Sequence, residues 1–253
     1  MSRPLKIGTW NVNGIRARLD QVQQWALGER PDVLCIQEIK ASPDQIPMFL
    51  CELEGYWCYW HGAKGYSGVG LHVSKELSPE RPAFAHPSFD YEHRIVTVRL
   101  PQATVASVYV PNGGKDFPAK MQFLTALDRF AADAQADPVP LVICGDLNVA
   151  RTDMDVHPKE RKPRAIGQLP EERALLEQLI GRGLVDVGRT LEPENDQMFT
   201  WWAPWRDMRK RNIGWRLDYV LASRALFARI KGSHVQRDFG TSDHAPVIAE
   251  FGA

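Results

Sequence analysis

Pro140-Leu141-Val142-Ile143-Cys144-Gly145-Asp146-Leu147-Asn148-Val149-Ala150 is an apolar run that stops at a glycine and delivers two polar side chains. Four consecutive apolar residues, two of them β-branched, suit a strand buried on both faces. Glycine is the residue that turns most easily at its end. If the backbone stays extended past the turn, Asp146 and Asn148 point to one side and Leu147 to the core. A carboxylate beside a carboxamide at the mouth of a buried sheet can manage a water and steady an oxyanion. Phosphodiester hydrolysis needs such a pair. The same letters equally suit an ordinary strand-to-loop turn in which Asp and Asn simply fit the backbone, so the rest of the chain has to decide.

Upstream, Leu5–Trp10 alternates as a strand and empties into Asn11-Val12-Asn13-Gly14. A helix is expected from Leu19 to about Leu27, with Leu19, Val22 and Ala26 on one face. Val33–Ile36 then reads as a second buried strand that delivers Gln37-Glu38. Ser42-Pro43-Asp44-Gln45 carries capping-box spacing with proline at the first helical position, so a helix is expected through Ile46, Phe49, Leu50 and Leu53. Strands are expected at Tyr56–His61, Gly68–Val73, Ile95–Leu100 and Thr104–Val110. The second half repeats the plan: a helix over Lys120–Ala134, the quoted strand, and a helix over Glu171–Ile180 closed by Gly181 or Gly183. Phe199–Trp202, Trp215–Leu221 and Val247–Phe251 read as closing strands. Strand-rich halves with a few long helices between suggest two packed sheets with helices outside. No composition break divides residues 1–253, which read as one domain.

The totals exclude several classes. With 31 basic and 31 acidic residues the net charge is zero, so affinity for nucleic acid must come from local clusters. The four cysteines are scattered, and Cys58 with His61 is the one Cys/His pair at metal spacing with no second pair to complete it, which argues against zinc. Met1-Ser2-Arg3-Pro4 runs straight into strand-like sequence, and no long apolar segment follows. The expectation is a soluble cytoplasmic protein without a leader or a membrane span.

Apolar strands repeatedly end in polar groups: Asn11 and Asn13, Glu38, Tyr109 with Asn112, Asp146 with Asn148, Asp218, and Ser242-Asp243-His244. Each has a bland alternative. Asn13-Gly14 is a turn signal, Glu38 could pair with Lys40, Tyr109 could be a core aromatic, and Asp218 could pair with a neighbouring arginine. Together they form the inventory of a Mg²⁺ phosphoesterase: hard oxygen ligands, amides and a phenol to stabilise charge, and a histidine that a carboxylate can hold.

Trp10–Arg16, Ile36–Lys40, Tyr109–Gly113, Gly145–Asn148, Gly214–Tyr219 and Ser242–Pro246 follow one another in an order and spacing that resembles the exonuclease III-type apurinic/apyrimidinic endonucleases. These belong to the deoxyribonuclease I-like endonuclease/exonuclease/phosphatase superfamily. The likeness runs from about residue 5 to residue 251. It implies an α/β fold, a four-layer sandwich of two mainly antiparallel sheets flanked by helices, with the site at one edge. By the same resemblance, Glu38 is the principal Mg²⁺ ligand, helped by Asn11 and Asp243, with Asp146 and Asn148 beside the metal and Mn²⁺ as a substitute. Asp146 positions or deprotonates the attacking water, Asn148 and Tyr109 stabilise the pentacovalent phosphate, and Asp218 orients the phosphate-binding His244. One departure is Tyr91-Glu92-His93-Arg94, where many members carry Glu-Gly-Arg.

The superfamily also holds lipid and inositol phosphatases, so the substrate must be read from other residues. Phe199–Trp202 and Trp215-x-Leu217 resemble the family's pocket for a base-less sugar. Trp201, Trp215 and Leu217 would form its walls, and such a pocket refuses a sugar that keeps its base. Trp202 could instead be ordinary core. Two basic runs, Trp205–Asn212 and Lys159–Arg164, lie between the motifs, and Arg209, Lys210 and Arg211 are expected on phosphates with Arg16, Asn112 and Lys115. The expected partner is double-stranded DNA with abasic or blocked 3′ ends, bound by a monomer. Rivals are a catalytically silent regulator, disfavoured by the retained acids and His244, and a lipid or inositol phosphatase, disfavoured by the tryptophans and basic loops.

Overall fold

The computed structural model describes residues 3–253. Met1 and Ser2, where the leaderless start was read, lie outside the described residues. Strand β1 (Leu5–Asn11) is buried along nearly its whole length, and helix α1 (Leu19–Glu29) returns the chain to β2 (Val33–Gln37), parallel beside it. Parallel neighbours need a crossover, and α1 is that crossover. After a short helix α2 (Met48–Cys51) come β3 (Tyr56–Ala63), β4 (Tyr66–Ser74), β5 (Phe84–Ala85), β6 (Ile95–Arg99) and β7 (Thr104–Tyr109). Helix α3 (Phe117–Ala134) then leads to β8 (Leu141–Asp146), again parallel to its predecessor. Helix α4 (Pro170–Gly181), β9 (Leu184–Asp186), a short helix α5 (Val187–Leu191), β10 (Asp218–Ser223), a short helix α6 (Arg224–Phe227), β11 (Ile230–Val235) and β12 (Val247–Phe251) complete the order.

The strands form two six-stranded sheets, ordered β11-β12-β1-β2-β4-β3 and β5-β6-β7-β8-β10-β9. Each is antiparallel except for its central pair, β1/β2 in one and β7/β8 in the other. Between the sheets, Ile7, Val33, Cys35 and Leu71 pack with Val98, Val105, Val142 and Val220. Outside, α1 lays Val22, Trp25 and Ala26 on Leu34, Ile36 and Ile248. On the other flank α3 and α4 lay Leu124, Leu127, Leu176 and Leu179 on Ala106, Ile143 and Leu221. Burying each large aliphatic side chain stabilises by roughly 1.5–3 kcal/mol. The sheets are therefore the rigid part, and the polar strand ends are fixed to it.

Several local expectations are corrected. The capping box at Ser42 is present, but it opens a 3₁₀ turn over Pro43–Gln45, because Pro47 cannot continue a helix and α2 starts after it. Phe199–Trp202 is not a strand. The amides of Thr200 and Trp201 both donate to the Trp215 carbonyl at 2.9 Å, which leaves isolated bridges where a ladder was expected. Consequently β10 begins at Asp218, later than the apolar pattern from Trp215 suggests. Strand β11, Ile-Lys-Gly-Ser-His-Val, carries no apolar run because it lies at a half-exposed sheet edge.

Candidate active site

The quoted strand ends as expected, by an unexpected route. Gly145 sits at φ +139°, where a Cβ would fall 1.9 Å from the Val108 carbonyl oxygen, so only glycine fits between β8 and β7. Asp146 then lies in register with Tyr109 of β7 on one side and Asp218 of β10 on the other. Three polar side chains from adjacent strands thus reach one level. Asn148 is not extended: it sits at φ +52°, a conformation asparagine tolerates, and its amide N–H donates to Asp146 Oδ1 at 2.9 Å. Leu147 is fully buried, and the Asn148 carboxamide donates to Asp146 Oδ2 at 3.2 Å and to the Val110 carbonyl at 2.9 Å.

The other sheet supplies the opposite wall. Asn11, at the end of β1, donates through Nδ2 to both Asp146 Oδ2 (2.9 Å) and Glu38 Oε2 (3.0 Å), joining the two sheets. Glu38 does pair with Lys40, at 2.8 Å, and Lys40 also donates to Asn13 Oδ1 at 2.6 Å. Asn13 Nδ2 reaches Asp243 Oδ1 at 2.7 Å, and the Trp201 indole N–H reaches Asp243 Oδ2 at 3.0 Å. The Ser242 hydroxyl donates to the Asn11 carbonyl at 2.8 Å and accepts the His244 amide at 3.2 Å, fixing the Ser-Asp-His turn. His244 Nδ1 lies 2.8 Å from Asp218 Oδ2, and its Nε2 faces Asp146 Oδ2 at 3.8 Å. Asn13, Glu38, Lys40 and Asn148 all sit at positive φ, strain that the surrounding bonds hold in place.

Charge follows from this geometry. Burial opposes an imidazolium at His244, yet the carboxylates of Asp218 and Asp146 outweigh it and push its pKa up to about 10. Burial also raises Asp146, to about 7; the His244 cation opposes this and the nearby Asp218 adds to it. Tyr109 is held far above the ordinary phenol range by burial and by Glu38 and Asp146, so it stays a hydrogen-bond donor. Among the described residues, Glu38 is ion-paired with Lys40, and Asp146 and Asp218 with His244, which also faces Asp243; the nearby Lys120 is already neutralised by Glu172, leaving two negative charges in excess when all are ionised. A divalent cation fits that excess. Ligand atoms of Asp146, Asp218 and His244 lie within 4.8 Å of one another, but the His244–Asp218 bond and the imidazolium charge disfavour a cation there, which makes the Glu38 carboxylate, held by the Asn11 amide, the better oxygen ligand for a hard ion.

Supporting residues had escaped the motif reading. Lys120 and Glu172 form an ion pair with both side chains fully buried. Lys120 Nζ also donates to the Asn148 carbonyl at 2.7 Å, and Glu172 Oε2 accepts the amides of Gly167 and Leu169. Arg216, which offered Asp218 a bland alternative partner, instead grips Asp186 through two bonds (2.8 and 2.7 Å) and Asp155 at 2.7 Å. Thr200 Oγ1 accepts the amides of Leu217 and Asp218. A lysine in an amphipathic helix or an arginine beside a motif reads as solvated, so no local signal could have marked them.

Trp201 and Trp215 meet edge to face with centroids 5.6 Å apart, and Leu217 packs with both beside Ala150 and Val156. Gly167 lies against the Trp215 ring at φ +89°, where a Cβ would sit 3.1 Å from it. Trp202 is core, 1% exposed. Arg16, Asn112, Lys115, Lys210 and Arg211 are exposed, and Asn112 Nδ2 also reaches Asn148 Oδ1 at 3.3 Å. Arg209 corrects its expectation. Its guanidinium stacks on Trp202 and donates to the carbonyls of Arg237, Phe239, Gly240 and Ser242, so four of its five N–H donors brace that loop rather than standing free for phosphate.

The Asp218–His244 bond carries a prediction. Asp218→Ala and His244→Ala break the same unit, so the double variant should turn over no more than about tenfold more slowly than the worse single one. Multiplicative losses in the cycle would show that the two side chains act apart.

Comparison with known proteins bears on the same residues. The model of the Endonuclease/Exonuclease/phosphatase family matches residues 8–244. The chain is 34% identical over 255 residues to the DNA repair nuclease APEX1 of Danio rerio, covering 96% of this chain and 81% of that one. It is 32% identical to exodeoxyribonuclease III of Haemophilus influenzae, covering 98% and 100%. It spans 37% of the length of Drosophila melanogaster recombination repair protein 1. A 3′ phosphatase, NExo, from Neisseria bound to product DNA hairpin superposes with a TM-score of 0.90 at 33% identity, covering 98% and 100%. Motifs, strand order and site geometry converge with these matches: the chain belongs to the endonuclease/exonuclease/phosphatase family.

Proposed function

We propose that this chain is an abasic-site endonuclease of base-excision repair. It cuts the phosphodiester 5′ to the lesion, leaving a 3′-hydroxyl and a 5′-deoxyribose phosphate, with 3′-phosphodiesterase and 3′→5′ exonuclease activity alongside. One observation carries the choice of substrate: Trp201 belongs to both halves of the site. Its ring packs edge to face on Trp215, beside Leu217, the residues proposed to wall the sugar pocket, while its N–H holds Asp243 beside His244. A flipped base-less sugar in that pocket would place its 5′ phosphate at the charged centre.

The residue roles follow from charge and reach. His244, held as a cation by Asp218, binds a phosphate oxygen and has no free site for a proton. Asp146, raised towards neutrality, is the group able to orient a water and accept its proton. Tyr109 and the Asn148 carboxamide donate to the oxygens on which charge develops. Glu38 with Asn11, and Asp243, Asp146 and Asn148 close by, would hold Mg²⁺ or Mn²⁺, which when bound polarises the phosphate and keeps the carboxylates ionised. DNA has room on either side. One groove of about 490 Å³ runs past Asn13, Asp243 and Lys210; another of about 460 Å³ runs past Tyr109, Asn112 and Lys115. A cytoplasmic place beside the chromosome fits the four free cysteines.

Lesion recognition and backbone grip separate in one experiment. Neutralising Lys210 and Arg211 together should weaken intact and abasic duplexes alike and flatten log affinity against log salt by roughly one to two units. Trp215→Ala should leave that slope unchanged but narrow the preference for the abasic duplex, since a base would then be accepted at less cost. Both are read in a salt titration with Ca²⁺ or chelator, where cutting is suppressed. The opposite assignment of the two effects would reverse the roles, and no effect from either would reopen the phosphatase reading.

A further inference from the structure

His61 and the His86–Asp90 segment come from separate parts of the chain, and the three side chains share no residue with the catalytic centre. His61 lies near the end of β3, His86 just after β5, and Asp90 in the turn before β6. Their ligand atoms lie within 4.8 Å of one another. His61 Nε2 is 2.5 Å from Asp90 Oδ2, and His86 Nδ1 is 4.0 Å from the same oxygen. The His61 and His86 rings lie 3.8 Å apart by centroid, and the His93 ring meets His61 at 4.5 Å. We propose that His61, His86 and Asp90 form a second metal site, for a transition-metal ion of the zinc class, with His93 the nearest further imidazole to complete it.

The donor set selects the ion. Two imidazoles and one carboxylate suit zinc and its neighbours and not magnesium, which prefers oxygen and water. Bonds of about 2.0–2.1 Å around a tetrahedral ion put ligand atoms roughly 3.3 Å apart, between the two spacings present. The surroundings already orient the ligands. Asp90 Oδ1 accepts the amides of Arg94 (2.8 Å) and Ile95 (3.1 Å), leaving Oδ2 to face the histidines. His86 Nε2 lies 2.8 Å from the Tyr59 hydroxyl, which can accept a hydrogen bond from the Nε2–H when Nδ1 binds metal. The ion would replace the His61–Asp90 hydrogen bond and the 3.1 Å contact of His86 Nδ1 with the Ile95 carbonyl. The side chains are 19%, 27% and 13% exposed in chain order, open to an ion yet partly shielded. Cys58, the sequence neighbour that had suggested and then excluded zinc, is not part of the cluster.

The backbone points the same way. Glu92 and His93 sit at φ +53° and +60°, a costly conformation that glycine adopts freely, and His93 there turns its ring towards His61. The turn continues into Arg94, whose guanidinium lies over the Tyr66 and Tyr109 rings at 5.3 and 4.8 Å. A metal at this site would tie β3 to the segment that supports Tyr109.

The test is Zn²⁺ content after equilibrium dialysis in excess Mg²⁺, for the full chain, His61→Ala/His86→Ala, and Glu38→Ala. The intact chain should hold a Zn²⁺ equivalent that the double-histidine variant loses and Glu38→Ala retains. Equal content in the double-histidine variant, or loss in Glu38→Ala alone, would overturn the site, as would no Mg²⁺-resistant Zn²⁺ in the intact chain. A second measurement needs no variant to fold: in the unaltered chain, histidine ring-proton resonances of His61 and His86 should shift within the first equivalent of Zn²⁺. Shifts confined to His244 would contradict the proposal.

Discussion

Asp146→Asn should lower incision of an abasic duplex by at least ~10³-fold, about 4 kcal/mol of transition-state stabilisation, while leaving duplex affinity intact. The substitution keeps the shape and, with its one oxygen turned to Asn11, that contact at the cost of the hydrogen bond from the Asn148 amide, and it removes the charge that faces His244 and the capacity to take a proton. Asp146 is central because it belongs to both sheets' networks. Its neighbours in register are Tyr109 and Asp218, and Asn11 reaches it from the opposite sheet. Single-turnover cleavage with excess enzyme isolates the chemical step, and binding in Ca²⁺ isolates affinity. A near-normal single-turnover rate would remove Asp146 from the mechanism.

Arg216→Met should destabilise the fold by about 3–5 kcal/mol, because it leaves Asp155 and Asp186 buried without their main partner. For a chain of this size the melting temperature should fall by on the order of 10 °C. Arg216→Lys should rescue little, since a point charge cannot make the paired bonds to Asp186. Arg216→Met with Asp186→Asn should recover part of the loss by removing the stranded charge. Acid provides a second reading. Burial alone would raise the Asp155 carboxyl, but Arg216 and Arg189 outweigh it and lower its pKa from 3.8 to about 2. Its contribution is therefore complete above pH 3.8 and lost as pH falls through about 2. In Arg216→Met that acid-limb loss should shrink. A thermal and acid profile matching the parent would show that the network carries no stability.

Much of this was legible because burial and function leave different marks. Strands such as Val33–Gln37 and Leu141–Asp146 are buried throughout, so their letters are nearly all apolar, and a polar residue at their end stands out. Asn11, Glu38, Asp146 and Asp218 were visible for that reason. What stayed hidden depends on contacts between distant segments. Lys120 with Glu172 and Arg216 with Asp186 are buried ion pairs whose members read singly as surface charges. Arg209 sits in a basic run and looks made for phosphate, yet tertiary packing turns its donors onto carbonyls. The apolar letters of Phe199–Trp202 promise a ladder, whereas the chain crosses at single bridges and packs its aromatics into a core and against Trp215. In the His61, His86 and Asp90 cluster, His86 and Asp90 are four residues apart on a segment without helical pattern, and His61 joins them only through the packing of β3.

In the proposed function, one site joins a carboxylate–histidine centre for phosphodiester hydrolysis to an apolar pocket for a base-less sugar. The most direct test of that function is incubation with a duplex carrying one abasic analogue, beside the undamaged duplex, in Mg²⁺ and in chelator. The account predicts a single cut immediately 5′ to the lesion with a 3′-hydroxyl end, dependent on the metal, with the undamaged strand uncut at that position. Equal cutting of both duplexes at that position, cutting that persists in chelator, or no incision at the lesion would contradict it.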